Sequence, residues 1–131
     1  MAYHLNEDEY YFQLDGPEKL PVRWLSPEAA SKWKFSHASD VWAFAVTLWE
    51  ICSLGLRPYK DLHNREIQKA VRDGRRLEKS PFACSHIHKN AKLFYSKIYA
   101  LMIQAWSMKE TERPTPDKIK QKMDKIFHNF L

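Results

Sequence analysis

The sequence is short of glycine, with three in 131 residues. It holds no G-x-G-x-x-G and no Walker-type loop, so it lacks a glycine-built cradle for nucleotide phosphates. It has only two cysteines, Cys52 and Cys84. That is no disulfide framework, and such usage suits a reducing, intracellular compartment. Long apolar runs are also missing. The longest, Val41 to Leu48, is followed by Glu50 and falls far short of the ~20 residues that span a bilayer. The N-terminus, Met1 to Glu9, is polar and acidic and does not read as a signal peptide. Strand-like alternation, internal repeats and low-complexity tracts are absent as well.

What is present argues for one folded domain. A chain of this length buries roughly two thirds of its unfolded surface, enough for a real core. Hydrophobic residues make up 44% and aromatics 14%, which excludes a disordered tail. Net charge is +5, which permits nucleic-acid contact without implying it. The late lysines Lys118, Lys120, Lys122 and Lys125 interleave with Ile119, Met123 and Ile126, the pattern of a solvated helix face rather than a nucleic-acid site. Cys84, His86 and His88 invite a metal reading, but no fourth ligand stands at a recognisable spacing. Cys52, inside an apolar run, reads as a buried free thiol.

Along the chain, Asp15-Gly16-Pro17 is a turn signal, and residues 1–20 read as an exposed loop carrying Tyr10 and Tyr11. Pro21 to Trp24 reads as extended. Ser26-Pro27-Glu28-Ala29-Ala30 opens a short helix with Pro in its first turn. Ser39 to Leu54 reads as a central helix, apolar on nearly all faces, with Ser39 as cap and Gly55 as stop. Asn64 to Asp73 is a short helix ended by Gly74, and Arg75 to Asn90 is irregular. Lys92 to Ser107 places Phe94, Ile98, Leu101, Met102 and Ala105 at helical spacing. Ser85 to Lys97 either lengthens that helix or forms a loop. Thr115 caps a last helix with Pro116 in first position and a stripe of Ile119, Met123, Ile126, Phe127 and Phe130. The expected class is therefore all-α.

Three stretches then stand out in order: LPVRWLSPEA (Leu20 to Ala29), SDVWAFAVTLWEI (Ser39 to Ile51) and AWSMKETERPT (Ala105 to Thr115). Together they resemble the C-terminal, helical lobe of a protein tyrosine kinase domain, over nearly the whole chain. The resemblance implies that residues 1–25 are activation loop and substrate-docking segment, and that residues 26–131 are the helical subdomain. Ser26-Pro27-Glu28 stands where the family has Ala-Pro-Glu. Its Glu typically pairs with the Arg of the late Arg-Pro motif, here Arg113. Asp40 matches the acid that steadies the family's catalytic loop, and Trp42 belongs to the same motif. A plainer role for Asp40 is a first-turn acid on the helix dipole. Pro21, Val22, Arg23 and Trp24 match the substrate-docking segment, where Pro helps form a shelf for a tyrosine ring. Tyr10 and Tyr11, after Glu7, Asp8 and Glu9, resemble tandem activation-loop phosphorylation sites.

The family's phosphoryl-transfer parts are absent from this sequence. There is no Gly-rich loop, no VAIK lysine, no HRD and no DFG. No catalytic, cofactor-binding or metal-binding residue is therefore expected in this chain. Met1-Ala2 stands where the residues after DFG would be, so the chain is expected to be a fragment, inactive alone. The resemblance implies ATP and Mg²⁺ for the full-length kinase, and protein tyrosine substrates and the missing N-terminal lobe as partners. Nucleic acid and a membrane segment are not expected, and a cytoplasmic location is, on the inner side of a receptor if the parent is one. The spacing looks most like receptors of the discoidin-domain and neurotrophin-receptor kind. Ala45, in place of a usual Gly, and the long Ser85 to Lys97 stretch depart from them. The alternative is a non-catalytic scaffold or decoy that offers the docking surface alone. Taken alone, the chain should expose an apolar patch on its central helix, which the family's preceding helices normally bury.

Overall fold

The computed structural model describes residues 12–13, 19–80 and 89–130. Two minimal antiparallel strands, β1 (Phe12–Gln13) and β2 (Lys19–Leu20), pair Phe12 with Leu20 and Gln13 with Lys19. The sequence reading had no strand here, because two-residue strands carry too little alternation to register. Among the described residues five helices follow: α1 (Pro27–Lys32), α2 (His37–Cys52), α3 (Asn64–Arg72), α4 (Lys89–Ala105) and α5 (Pro116–Phe130), with a 3-10 turn at Glu110–Glu112 before the last. The architecture is the helical C-terminal lobe expected. No helix among the described residues is long and apolar enough to cross a membrane.

The local chemistry accounts for most boundaries. Pro27 opens α1, where its missing N–H costs no hydrogen bond. Helix α2 starts earlier than Ser39, because Ser36 is its cap. The Ser36 hydroxyl accepts from the Ser39 N–H at 3.3 Å, and the Ser39 hydroxyl accepts from the Ser36 N–H at 2.8 Å. The sequence carries two serines in the right places, and the reciprocal pair uses both. Gly55 beyond α2 and Gly74 beyond α3 take φ of 89° and 105°, a region open to glycine at little cost. The Thr115 hydroxyl accepts from the Lys118 N–H at 3.2 Å at the start of α5. Helix α4 begins at Lys89, so part of the uncertain Ser85 to Lys97 stretch is helix.

Helices α2 and α4 pack along each other, α5 packs on α4, and α1 packs on α3. The core runs through Trp42, Val46 and Trp49 of α2, Ile67 and Val71 of α3, and Ile98, Leu101 and Met102 of α4, with Trp106 and Ile119. Cys52 is half-buried rather than buried. The irregular segment 75–80 is held by aromatic side chains. The Trp49 Nε1–H donates to Glu78 O at 2.7 Å, the Tyr99 hydroxyl donates to Leu77 O at 2.7 Å, and the Tyr95 hydroxyl accepts from the Ser80 N–H at 3.0 Å. These bonds replace the partners that a helix or sheet would have supplied.

Met102 has no exposed surface and Met108 keeps 45%. Met102→Ala is expected to lower unfolding free energy by about 2–5 kcal/mol, and Met108→Ala to change it by less than about 0.5 kcal/mol, in urea denaturation.

Candidate functional site

The turn after β2 carries Pro21, Val22, Arg23 and Trp24. It is tied by Val22 N–H to Leu20 O at 2.9 Å and by Trp24 N–H to Pro21 O at 3.0 Å. It is therefore a turn, where an extended segment was expected. The structure divides the four residues. Val22 and Arg23 are buried, at 1% and 2% exposure, while Pro21 and Trp24 are half-buried. The Arg23 guanidinium reaches into the connection between α2 and α3. Its Nη1 donates to Pro58 O at 2.7 Å and Tyr59 O at 2.8 Å, and its Nη2 to Leu62 O at 2.8 Å. Three carbonyl dipoles thus converge on one cation. The Gln68 amide of α3 approaches as well, with Nε2 donating to Val22 O at 2.9 Å and Leu25 O at 3.2 Å. Trp24 is fixed by its Nε1–H, which donates to Glu50 Oε1 of α2 at 2.5 Å. The turn is clamped from below, and Pro21 is left at its outer side.

Glu28 and Arg113, 85 positions apart, form a buried bidentate pair. Arg113 Nη1 donates to Glu28 Oε1 at 2.5 Å, and Nη2 to Oε2 at 2.9 Å. Arg113 also donates to Ser107 O at 2.8 Å and Ala38 O at 3.1 Å. Burial by itself raises the Glu28 pKa. The Arg113 hydrogen bonds outweigh it and hold the carboxyl below its ordinary value. Trp42, 1% exposed, underlies two cations, the Arg113 guanidinium at 5.1 Å and that of Arg76 at 4.9 Å from its ring.

Asp40 is exposed, one turn into α2, at an apolar groove of about 450 Å³ shared with α5 and lined by Val41, Phe44, Ile119, Met123 and Phe127. Phe44 and Phe127 are 42% and 44% exposed, so the central helix does present the apolar face expected of it. Tyr10 and Tyr11, the Asp15-Gly16-Pro17 turn, and Cys84, His86 and His88 lie outside the described residues. Sequence reasoning missed Gln68, which sits on the buried face of α3 and reads there as an ordinary polar helix residue. It also missed Arg76 and Tyr59. Tyr59 is buried with φ of 52°, unusual for a bulky side chain, and burial pushes its hydroxyl up to about 12, against the pull of Arg76 and Arg75. The Arg57-Pro58-Tyr59 run was the available signal.

Over residues 1–123 the chain matches the family described as protein tyrosine and serine/threonine kinase. The chain belongs to that family. It is similar to Ephrin type-A receptor 5 of Homo sapiens and of Gallus gallus, each 38% identical over 111 residues. It is also similar to Ephrin type-A receptor 7 of Gallus gallus, 37% identical over 111 residues. Each match covers 85% of this chain and 10% of the relative, so the chain spans about a tenth of the length of these curated relatives. With the helical fold, these matches support part of a receptor-type tyrosine kinase domain. These relatives are ephrin-type receptors, a different kind from the discoidin-domain and neurotrophin receptors favoured by the sequence resemblance.

Removing one member of the Glu28–Arg113 pair strands a buried charge. Arg113→Ala is expected to cost about 3–5 kcal/mol in urea denaturation. The Glu28 contribution is present above its unfolded pKa of about 4.3 and is lost as pH falls through the lower folded value. Unfolding of wild type and Glu28→Gln between pH 7 and 2 is expected to converge at the acid end. Tyr59 has the opposite sign. Its folded pKa is raised, so its contribution is complete below about pH 10 and is lost as pH rises towards 12. Ultraviolet titration is expected to show one of the six tyrosines ionising near that value, and the step should vanish in Tyr59→Phe.

Proposed function

We propose that this chain forms the helical, substrate-docking part of a protein tyrosine kinase domain, whose whole transfers the γ-phosphate of ATP to tyrosine on proteins. One observation carries the reading. Arg23 and Gln68 hold the Pro21–Trp24 turn rigidly from beneath, leaving the Pro21 ring half-exposed as a shelf. Residues 1–25 act as activation loop and docking segment, and residues 26–131 as the helical subdomain. Of the docking residues, Pro21 meets the substrate tyrosine, while Val22, Arg23 and Trp24 position it. Tyr10 and Tyr11 are the phosphorylation sites, each adding about two negative charges when modified.

ATP and Mg²⁺ are the reagents of the family, but the residues here do not fit them. The sequence has neither the phosphate-holding Gly loop and Lys nor the metal-holding Asp and Asn. No group of three or more His, Cys, Asp or Glu stands together among the described residues. The chain alone therefore transfers no phosphate. In a whole domain of the family the N-terminal lobe and the catalytic loop supply those groups, and the apolar groove at Phe44 and Phe127 is covered there. The site of action is the cytoplasmic side of a receptor. A docking module without catalysis is the alternative, since the surface is built here and the chemistry is not.

The test is a chimera in which residues 1–123 replace the matching stretch of the kinase domain of human Ephrin type-A receptor 5. It is expected to phosphorylate tyrosine peptides and not serine peptides. Pro21→Gly should raise KM about tenfold or more with a smaller change in kcat. A folded chimera that binds tyrosine peptides but transfers nothing favours the docking module. One that neither binds nor transfers overturns both readings.

A further inference from the structure

A cavity of about 400 Å³ opens between the α2–α3 connection and segment 75–80, away from the apolar groove. It falls within the range of small-ligand sites, roughly 300–1,000 Å³. Its wall holds five cationic side chains, Arg57, Lys60, Arg75, Arg76 and Lys79, against two carboxylates, Asp61 and Glu78. Asp61 is already committed, because its two oxygens accept from Arg75 at 2.6 and 2.7 Å. Arg76 is half-buried and pairs with no carboxylate among the described residues. Its Nε and Nη1 donate to the carbonyls of Trp106, Val71 and Arg75 at 2.7–2.9 Å. Burial holds its pKa below the ordinary value, the sign of a charge whose lost hydration is not made good by a counterion. With Arg75 held by Asp61, Lys60, Arg76 and Lys79 stand against the single carboxylate of Glu78.

The remaining wall is apolar and aromatic, formed by Trp49, Leu56, Tyr59 and Leu77. It is also preset. Arg23 holds the carbonyls of Pro58, Tyr59 and Leu62 on one side, and Trp49 Nε1–H holds Glu78 O on the other. A ligand entering such a cavity does not bear the entropy of ordering its walls. A flat apolar wall is a poor match for a bare hydrated ion, and a cationic rim is a poor match for a neutral ring. A phenyl ring bearing phosphate satisfies both, with about two negative charges and three acceptor oxygens on one compact head. We propose that this cavity binds an aryl phosphate, the chemistry of a phosphotyrosine side chain. The ring lies against Trp49 and Tyr59, and Lys60 and Lys79 meet the phosphate at the rim. The site stands on the cavity itself and does not require the kinase reading, since no phosphoryl transfer is involved.

The test is a titration of the isotope-labelled chain with phenyl phosphate, inorganic phosphate, phenol, and a tyrosine peptide in phosphorylated and unphosphorylated forms, followed by amide NMR. Phenyl phosphate is expected to bind saturably and at least about tenfold tighter than either inorganic phosphate or phenol, with shifts at residues 57–61 and 75–80. The phosphorylated peptide should match phenyl phosphate if the natural source is a phosphotyrosine side chain. A weaker peptide would assign the site to a free aryl phosphate. Lys60→Glu combined with Lys79→Glu is expected to weaken binding about tenfold or more, while Lys118→Glu on α5 leaves it unchanged. If the double variant does not melt cooperatively, Lys60→Glu alone is expected to weaken binding about threefold. The proposal is overturned by absence of saturation at about 10 mM, by equal affinity for inorganic and phenyl phosphate, or by undiminished binding in the folded lysine variants.

Discussion

The Arg113 guanidinium joins parts of the chain that share no hydrogen-bonded element. It meets Glu28 at the start of α1, the Ala38 carbonyl in the first turn of α2, the Ser107 carbonyl beyond α4, and the face of Trp42 in the core. A buried ion pair adds little net stability over an apolar pair of the same shape, because desolvation offsets the attraction. Its value here is geometric. A planar fork accepts few arrangements, so the orientation of α1 against α2 follows from it. The turn that precedes α1 inherits that orientation.

The turn is set a second time by Arg23. Its three acceptors are backbone carbonyls, whose positions depend on how the α2–α3 connection folds rather than on which side chains line it. Gln68 works in the same manner from α3, as a donor to the turn's own carbonyls. The two clamps both act on the chain after Pro21: Glu28–Arg113 fixes where the chain goes next, and Arg23 ties the turn to the α2–α3 connection. A turn held in this way is ordered before any ligand arrives.

Much of this was legible in the residues. The helices at Pro27, Asn64 and Pro116 followed from Pro, Gly and Thr at their ends, and the Glu28–Arg113 pair followed from two motifs in order. The start of α2 was misplaced because either Ser36 or Ser39 satisfies the cap rule, and the reciprocal bonds between them make the earlier one the cap. The strands were too short for their period to show. Arg23 was read as a docking residue, but its burial depends on carbonyls supplied 35 to 39 positions later. No local pattern carries that information. Gln68 and Arg76 escaped for the same reason, since their roles rest on what faces them and not on their spacing.

The separations that hide these contacts from a local reading also order events in time. Pro21 to Trp24 emerge early in the chain. Yet the carbonyls that receive Arg23 do not exist as a converging set until α2 is complete and the connection to α3 has turned back. Closing such loops costs entropy before any contact repays it. The turn therefore cannot take its final shape before that connection is in place. A nascent chain halted within α2 would carry all of Pro21 to Trp24 and none of their geometry.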